Sequence, residues 1–213
     1  MDPGLNSVLK WAVENSEASV SDPAAASPSS RGLDAAALAA LMGGPSDADM
    51  MISSMQAVLS TDPEVSVDDK LVAFDNFEQL IENLDNANNL GPLMLWTPLL
   101  SCLTHEEPDI RKMAAWCIGT AVQNNEKSQE RLIAMNGIPL LVKLATEKEE
   151  IKLVRRKAVY ALSSACRNHQ PAMNELVCEL EKMGRKQGKV DAADMDACDV
   201  VIGGLREDAD NGV

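Results

Sequence analysis

Two stretches of this chain are near copies of two others, and that self-similarity restricts the fold more than any other feature. PLLSCL at Pro98–Leu103 returns as PLLVKL at Pro139–Leu144, a shift of 41, and IRKMAAWCIGTAVQNN at Ile110–Asn125 returns as VRRKAVYALSSACRNH at Val154–His169, a shift of 44. The three extra residues of the second copy fall in TEKEEIKL, a polar loop of the kind that absorbs insertions. A third, more diverged copy lies upstream: with Lys70 laid on Arg111, Ala73 meets Ala114, Phe77 meets Ile118 and LIEN meets AVQN. Units of this length cannot bury an apolar face alone, so they stack and share one continuous core. Ala114, Ala115, Ala158 and Ala161 are small enough to let neighbouring helices approach closely. Trp116 and Tyr160 occupy equivalent positions and are expected to wedge between layers, in which case Trp116→Ala costs about 3–5 kcal/mol.

The repeating units are helical. From Ser46 onward the pattern is helix after helix, broken at TDPEVS, NANNLGP, HEEPD, NNEKS, MNGIP, TEKEE and RNHQP. Aromatic content is 3% and no alternating β-branched run occurs, which leaves an all-α fold. A period just above forty with two or three helices per unit is that of armadillo and HEAT repeats. The expected architecture is an armadillo-like right-handed α-solenoid of about three repeats, with flanking capping helices and a flexible N-terminal arm. Residues 1–14 form a short amphipathic segment, and 15–45 a Ser/Pro-rich linker with a short helical pattern at Leu33–Met42 that stops at GGP. Residues 46–206 form the repeat domain, closed by DAADMDACDVVIGGL at Asp191–Leu205, and 207–213 a disordered tail.

Composition narrows the function. A net charge of −14 and a pI near 4.5 oppose nucleic-acid and anionic-membrane binding. Neither an apolar run long enough to span a bilayer nor a secretory signal is visible, so a cytoplasmic location is expected. The cysteines Cys102, Cys117, Cys166, Cys178 and Cys198 are an odd, scattered set without C-x-x-C, which fits no disulfide framework or zinc knuckle. Cys117 and Cys166 fall within apolar helical patterns and read as buried free thiols. With only His105 and His169 available, no nucleophile–base pair, metal set or cofactor loop recommends an enzyme. The pairs Glu106-Glu107 and Glu149-Glu150 read as solvated loop acids. Arg155-Lys157, at a helix start, reads as the repeat equivalent of Arg111-Lys112 or as a contact for an acidic patch.

The polar stretch IENLDNANNL at Ile81–Leu90 stands where the other copies carry QNN and RNH. In armadillo repeats the last helix of each unit lines the concave face, and its polar end is where partners are held. Those ends are Glu82, Asn83, Asp85, Asn86, Ala87, Asn88 and Asn89; Gln123, Asn124 and Asn125; and Arg167, Asn168 and His169. Two or three asparagines suffice for capping and turns, so part of the first cluster is expected to bind. Ala87, small between polar neighbours, is expected to allow close approach. A bulky charged residue there is expected to weaken binding without changing the helical circular dichroism.

GIPLLVKLA at Gly137–Ala145 resembles the armadillo signature in which Gly breaks the chain and Pro starts the long helix. More specifically, DKLVAFDNFEQLIENLDNANN at Asp69–Asn89, with LWTPLL, WCIGTAVQNNEKSQ, VLKWAVENS and MGGPSDADM, resembles the fungal armadillo-type nucleotide exchange factors of the seventy-kilodalton heat-shock chaperone. The resemblance implies a monomeric co-chaperone without cofactor or metal. It would grip the nucleotide-binding domain of one cytosolic chaperone through the helix ends above, and accelerate ADP release to promote folding. It also implies that an N-terminal segment, here Leu9, Lys10, Trp11 and Val13, imitates substrate and helps polypeptide release. The repetition fades after about Leu180, earlier than in longer relatives. The alternative is a peptide-binding armadillo adaptor, which needs Trp and Asn four residues apart on the concave helix. Trp116 precedes Asn124 by eight and is expected on the preceding, core-packed helix, so that ladder is missing.

Overall fold

The computed structural model describes residues 44–211, which are helical with no strand among them. The expectations for 1–14, for the linker and the Leu33–Met42 helix, and for Leu9, Lys10, Trp11 and Val13 lie outside the described residues. Ten α-helices follow from Asp47: α1 Asp47–Val58, α2 Val67–Ile81, α3 Leu84–Asn89, α4 Trp96–Ser101 extended by a 3-10 turn at Cys102–Thr104, α5 Pro108–Val122, α6 Glu126–Ala134, α7 Gly137–Thr146, α8 Lys152–Cys166, α9 Gln170–Lys182 and α10 Met195–Asn211. Among these residues no helix is long and apolar enough to cross a membrane.

Local chemistry sets most helix starts. Ser66 and Asp69 form a reciprocal capping box at α2, Pro108 opens α5 where its missing N–H is not needed, and Asn83, Asn125 and His169 cap α3, α6 and α9. Asn136 enters α7 in the left-handed region at φ 58°. Gly137 follows because a Cβ there would lie 2.2 Å from Leu132 Cδ1.

Helices α3–α4–α5 and α6–α7–α8 are successive three-helix units, with α2 supplying the third helix of a unit before them. The fold is an armadillo/HEAT-like α-solenoid. The third helices α2, α5 and α8 lie side by side in the same direction. Thr120 Oγ1 donates to Glu78 Oε1 at 2.7 Å, and Cys117 Sγ sits 4.0 Å from the Phe74 carbonyl. Ala114, Ala115, Ala158 and Ala161 are fully buried, and at Gly119 a Cβ would come within 2.4 Å of the Tyr160 ring. Phe74, Phe77, Trp96, Leu99, Ile110 and Ile118 are among the larger core side chains.

The units are also stapled by two equivalent arginines. Arg111 makes a two-pronged ion pair with Glu150, at 2.5 and 2.8 Å, while its Nη1 donates to the His105 and Glu106 carbonyls. Arg155 donates to the Glu150 carbonyl at 2.6 Å and, through Nε and Nη2, to that of Ala209 at 3.3 and 3.1 Å. The repeat-equivalent reading of Arg155 therefore holds. Glu150 corrects the expectation of a solvated acid: it is buried because the inserted TEKEE loop folds onto Arg111.

Helix α10 runs antiparallel to α8 and covers the end of the stack, its first turns near Arg167 and its last near Arg155. It continues through Asn211, so the tail expected from 207 is helical up to that point. Ala209 is fully buried and its carbonyl is taken by Arg155. The connection before α10 is pinned by Asn168 N–H to the Ala192 carbonyl at 2.8 Å and by Gln170 Nε2 to the Val190 carbonyl at 2.8 Å.

Cys102, Cys117, Cys166 and Cys198 are buried and Cys178 is exposed. Burial pushes the Cys102 thiol up to about 11 and holds the Cys117 and Cys166 thiols above their ordinary value. A small thiol reagent at neutral pH is therefore expected to label Cys178 first within residues 44–211, and the other four only after denaturant is added, as peptide mass mapping would report.

Candidate functional site

The solvent-facing stripe of the third helices carries Asp75 and Gln79 on α2, Lys112, Trp116 and Thr120 on α5, and Arg156, Lys157, Tyr160 and Ser164 on α8. Trp116 and Tyr160 were expected inside the core. Both are instead half-buried on this stripe. The Lys157 Nζ lies 3.4 Å from the centroid of the Trp116 ring and 5.6 Å from that of Tyr160. Tyr160 reaches back to α5, its hydroxyl donating to Gln123 Oε1 at 3.1 Å. Trp116 thus belongs to a third helix itself, not to a preceding one. The residues one turn beyond the two rings are Thr120 and Ser164, so a Trp–Asn ladder with a spacing of four is still missing.

The helix-end residues named from the sequence divide into enclosed and exposed sets. Asn86 is 7% exposed, and its amide donates to Asp47 Oδ2 at 2.8 Å and to the Leu80 carbonyl at 3.0 Å, tying the start of α1 to the end of α2. Asn125 is 5% exposed and engages the Ala121 carbonyl and Ser128. His169 is likewise buried, its Nδ1 accepting the Ala172 N–H at 3.4 Å. Ala87 is 2% exposed and packs in the core. Asn86 and Asn125 thus spend their amides on partners within the fold, whereas Ala87 is one of the residues that line the cleft between α3 and α6.

Glu82, Asn83, Asp85, Asn89, Gln123, Asn124 and Asn168 are exposed, and Asn88 and Arg167 partly so. Asn83 spends its side-chain oxygen on the Asp85 and Asn86 N–H groups. Asn124 and Asn168 hold left-handed φ values of 52° and 56°, a conformation asparagine tolerates better than most residues. Arg167 pairs with Asp199 at 2.5 Å and donates to Ser163 Oγ at 3.1 Å, which fastens α10 to α8. The structure therefore does not gather these residues into one pocket. A cleft of about 360 Å³ opens between α3 and α6, lined by Ala87, Asn88, Trp96, Lys127 and Arg131 among others. Among the described residues Asn88 Oδ1 is buried there without a donor.

The Arg167 guanidinium holds the Asp199 carboxyl below its ordinary value, mainly through the hydrogen bond. A carboxyl depressed in the folded state contributes stability above its unfolded pKa and loses it as pH falls. The melting temperature is therefore expected to drop below about pH 4, and less steeply in Asp199→Asn, as a pH series of thermal melts would show.

The Trp116–Lys157–Tyr160 group was missed because the repeat equivalence of Trp116 and Tyr160 says nothing about which side of the helix faces water. A usable signal was Gly119: a glycine inside a helix leaves room for a ring of the next copy to lie against it, and here that ring is Tyr160.

The family described as "Nucleotide exchange factor Fes1" matches residues 5–90, and the HEAT repeat matches 95–124, the stretch that holds α4 and α5. The Hsp70 nucleotide exchange factor FES1 of Gibberella zeae is 63% identical over 207 residues, covering 97% of each chain. The Neurospora crassa Hsp70 nucleotide exchange factor fes-1 is 49% identical over 243 residues, 98% of this chain and 99% of that one. The Saccharomyces cerevisiae Hsp70 nucleotide exchange factor FES1 is 43% identical over 170 residues, 78% of this chain and 57% of that one. A crystal structure of an engineered protein shares the fold, with a TM-score of 0.53 at 19% identity over 83% of this chain and 71% of that one. With identity at this level running from end to end, the chain belongs to the Fes1 family of Hsp70 nucleotide exchange factors.

Proposed function

We propose that this protein is a nucleotide exchange factor that binds the nucleotide-binding domain of a cytosolic Hsp70 and accelerates ADP release. The observation that carries the reading is the 63% identity over 97% of both chains with a protein named for that activity. The geometry supports it physically. Third helices α5 and α8, joined through the loop that carries Glu150 by Arg111 and Arg155, make a stiff surface, and a stiff surface can favour one conformation of a two-lobed partner over another. Exchange needs no covalent chemistry from such a protein. It requires tighter binding to the open chaperone than to the ADP-closed one, and a hundredfold preference corresponds to about 2.7 kcal/mol of population shift.

The contact surface we assign is the third-helix stripe together with the helix ends Glu82, Asn83, Asp85, Asn88, Asn89, Asn124, Arg167 and Asn168, and with Ala87 in the cleft beside Asn88. One protein binds one chaperone, and release of bound polypeptide through Leu9, Lys10, Trp11 and Val13 is part of the same reading. Stopped-flow release of fluorescent ADP from Hsp70 provides the test. The rate constant is expected to rise with the concentration of this protein and then saturate. A rate that stays at its spontaneous value under saturating protein rejects the activity and leaves a peptide-binding adaptor as the reading to pursue.

A further inference from the structure

Six cations sit on α5 and α8, and five of them are satisfied within the fold. Arg111 pairs with Glu150, Lys112 with Asp109, and Lys152 and Arg156 with Asp210, while Arg155 is held by backbone carbonyls. Lys157 differs. Its ammonium has no ion pair or hydrogen bond among the described residues, although the chain carries 33 acids against 19 lysines and arginines. It lies over the Trp116 ring at 3.4 Å and beside Tyr160, where burial lowers its pKa. The charges that act on it besides burial are chiefly the buried Glu78 carboxylate, already taken by Thr120, and the like charge of Lys112. A ring face satisfies part of an ammonium's attraction to negative charge but accepts none of its hydrogen bonds conventionally. A partly desolvated cation held against two aromatic rings is the composition of an interface hot spot, pre-organised before a partner arrives.

We propose that Lys157, positioned by Trp116 and Tyr160, is the charge anchor of the third-helix face and receives a carboxylate from the nucleotide-binding domain of Hsp70, an assignment that rests on the exchange-factor reading above. The occupant follows from charge. An acidic protein that neutralises its other α5 and α8 cations internally leaves this one for an acid supplied from outside. The rings keep water off the pair as it forms, so the contact contributes affinity as well as steering.

The test uses the full chain and the isolated nucleotide-binding domain of Hsp70, with affinity measured by fluorescence anisotropy across a salt series. Lys157→Met keeps the aliphatic stem between the rings but removes the charge. It is expected to weaken binding by about thirtyfold and to flatten the salt dependence, whereas Lys157→Arg stays within a few fold of the parent. A Lys157→Met protein with parental affinity and parental salt dependence overturns the proposal. A second arm does not depend on how well any one variant folds. Lys157→Glu is combined with lysine substitutions at exposed acids of the Hsp70 domain, and one of them is expected to restore binding at least about tenfold. If none does, the anchor is wrong even though exchange activity stands. If the unmodified protein fails to bind or to accelerate ADP release, the exchange-factor reading fails first.

Discussion

Arg111→Ala is expected to lower the unfolding free energy by about 3–5 kcal/mol, because it leaves the Glu150 carboxylate uncompensated inside the protein. Glu150 has a side-chain exposure of 5% and Arg111 of 17%, so solvent screens the pair only partly. Among the described residues Glu150 keeps one other donor, the Ile151 N–H at 2.8 Å, and the His105 and Glu106 carbonyls lose the guanidinium as theirs. Urea unfolding followed by circular dichroism measures the change. Replacing both partners, Arg111→Met with Glu150→Gln, is expected to recover part of the loss, since no charge is then stranded, but not the part owed to the two carbonyls. A loss below about 1 kcal/mol for Arg111→Ala would place the pair in the class of solvated surface bridges and remove the staple from the account of this fold.

The second large effect separates two tryptophans. Trp96 is 2% exposed at the start of α4, and its truncation to Ala is expected to cost about 3–5 kcal/mol. Trp116→Ala is expected to cost less than about 2 kcal/mol, because the ring is half-buried and loses mainly one face and the Lys157 contact. Its larger consequence is expected in Hsp70 binding, through release of Lys157. Parallel urea titrations and anisotropy titrations of the two variants give the comparison. Equal destabilisation would return Trp116 to the core.

Part of the site could be anticipated from residue order and part could not. The capping asparagines were legible because a cap is satisfied within three or four residues, and the insertion in TEKEE because the repeat shift changes there from 41 to 44. The same asparagines could not be sorted into buried and exposed, since that depends on whether another helix lies above them. Asn86 turns inward because Asp47, 39 residues away, arrives beside it. Asn83, three positions earlier, finds its partners in its own turn and stays exposed.

Residue order alone therefore determined the helical class, the repeat period, most helix boundaries and the family, because each rests on interactions or patterns shorter than one repeat. Tertiary structure decided three things: that Glu150 is buried, that Trp116 and Tyr160 face outward around Lys157, and that α10 runs antiparallel to α8 as a cap. Each of these pairs residues from neighbouring units. Their meeting depends on how deeply one helix settles against the next, and that distance is set by packing at positions such as Gly119 and the buried alanines.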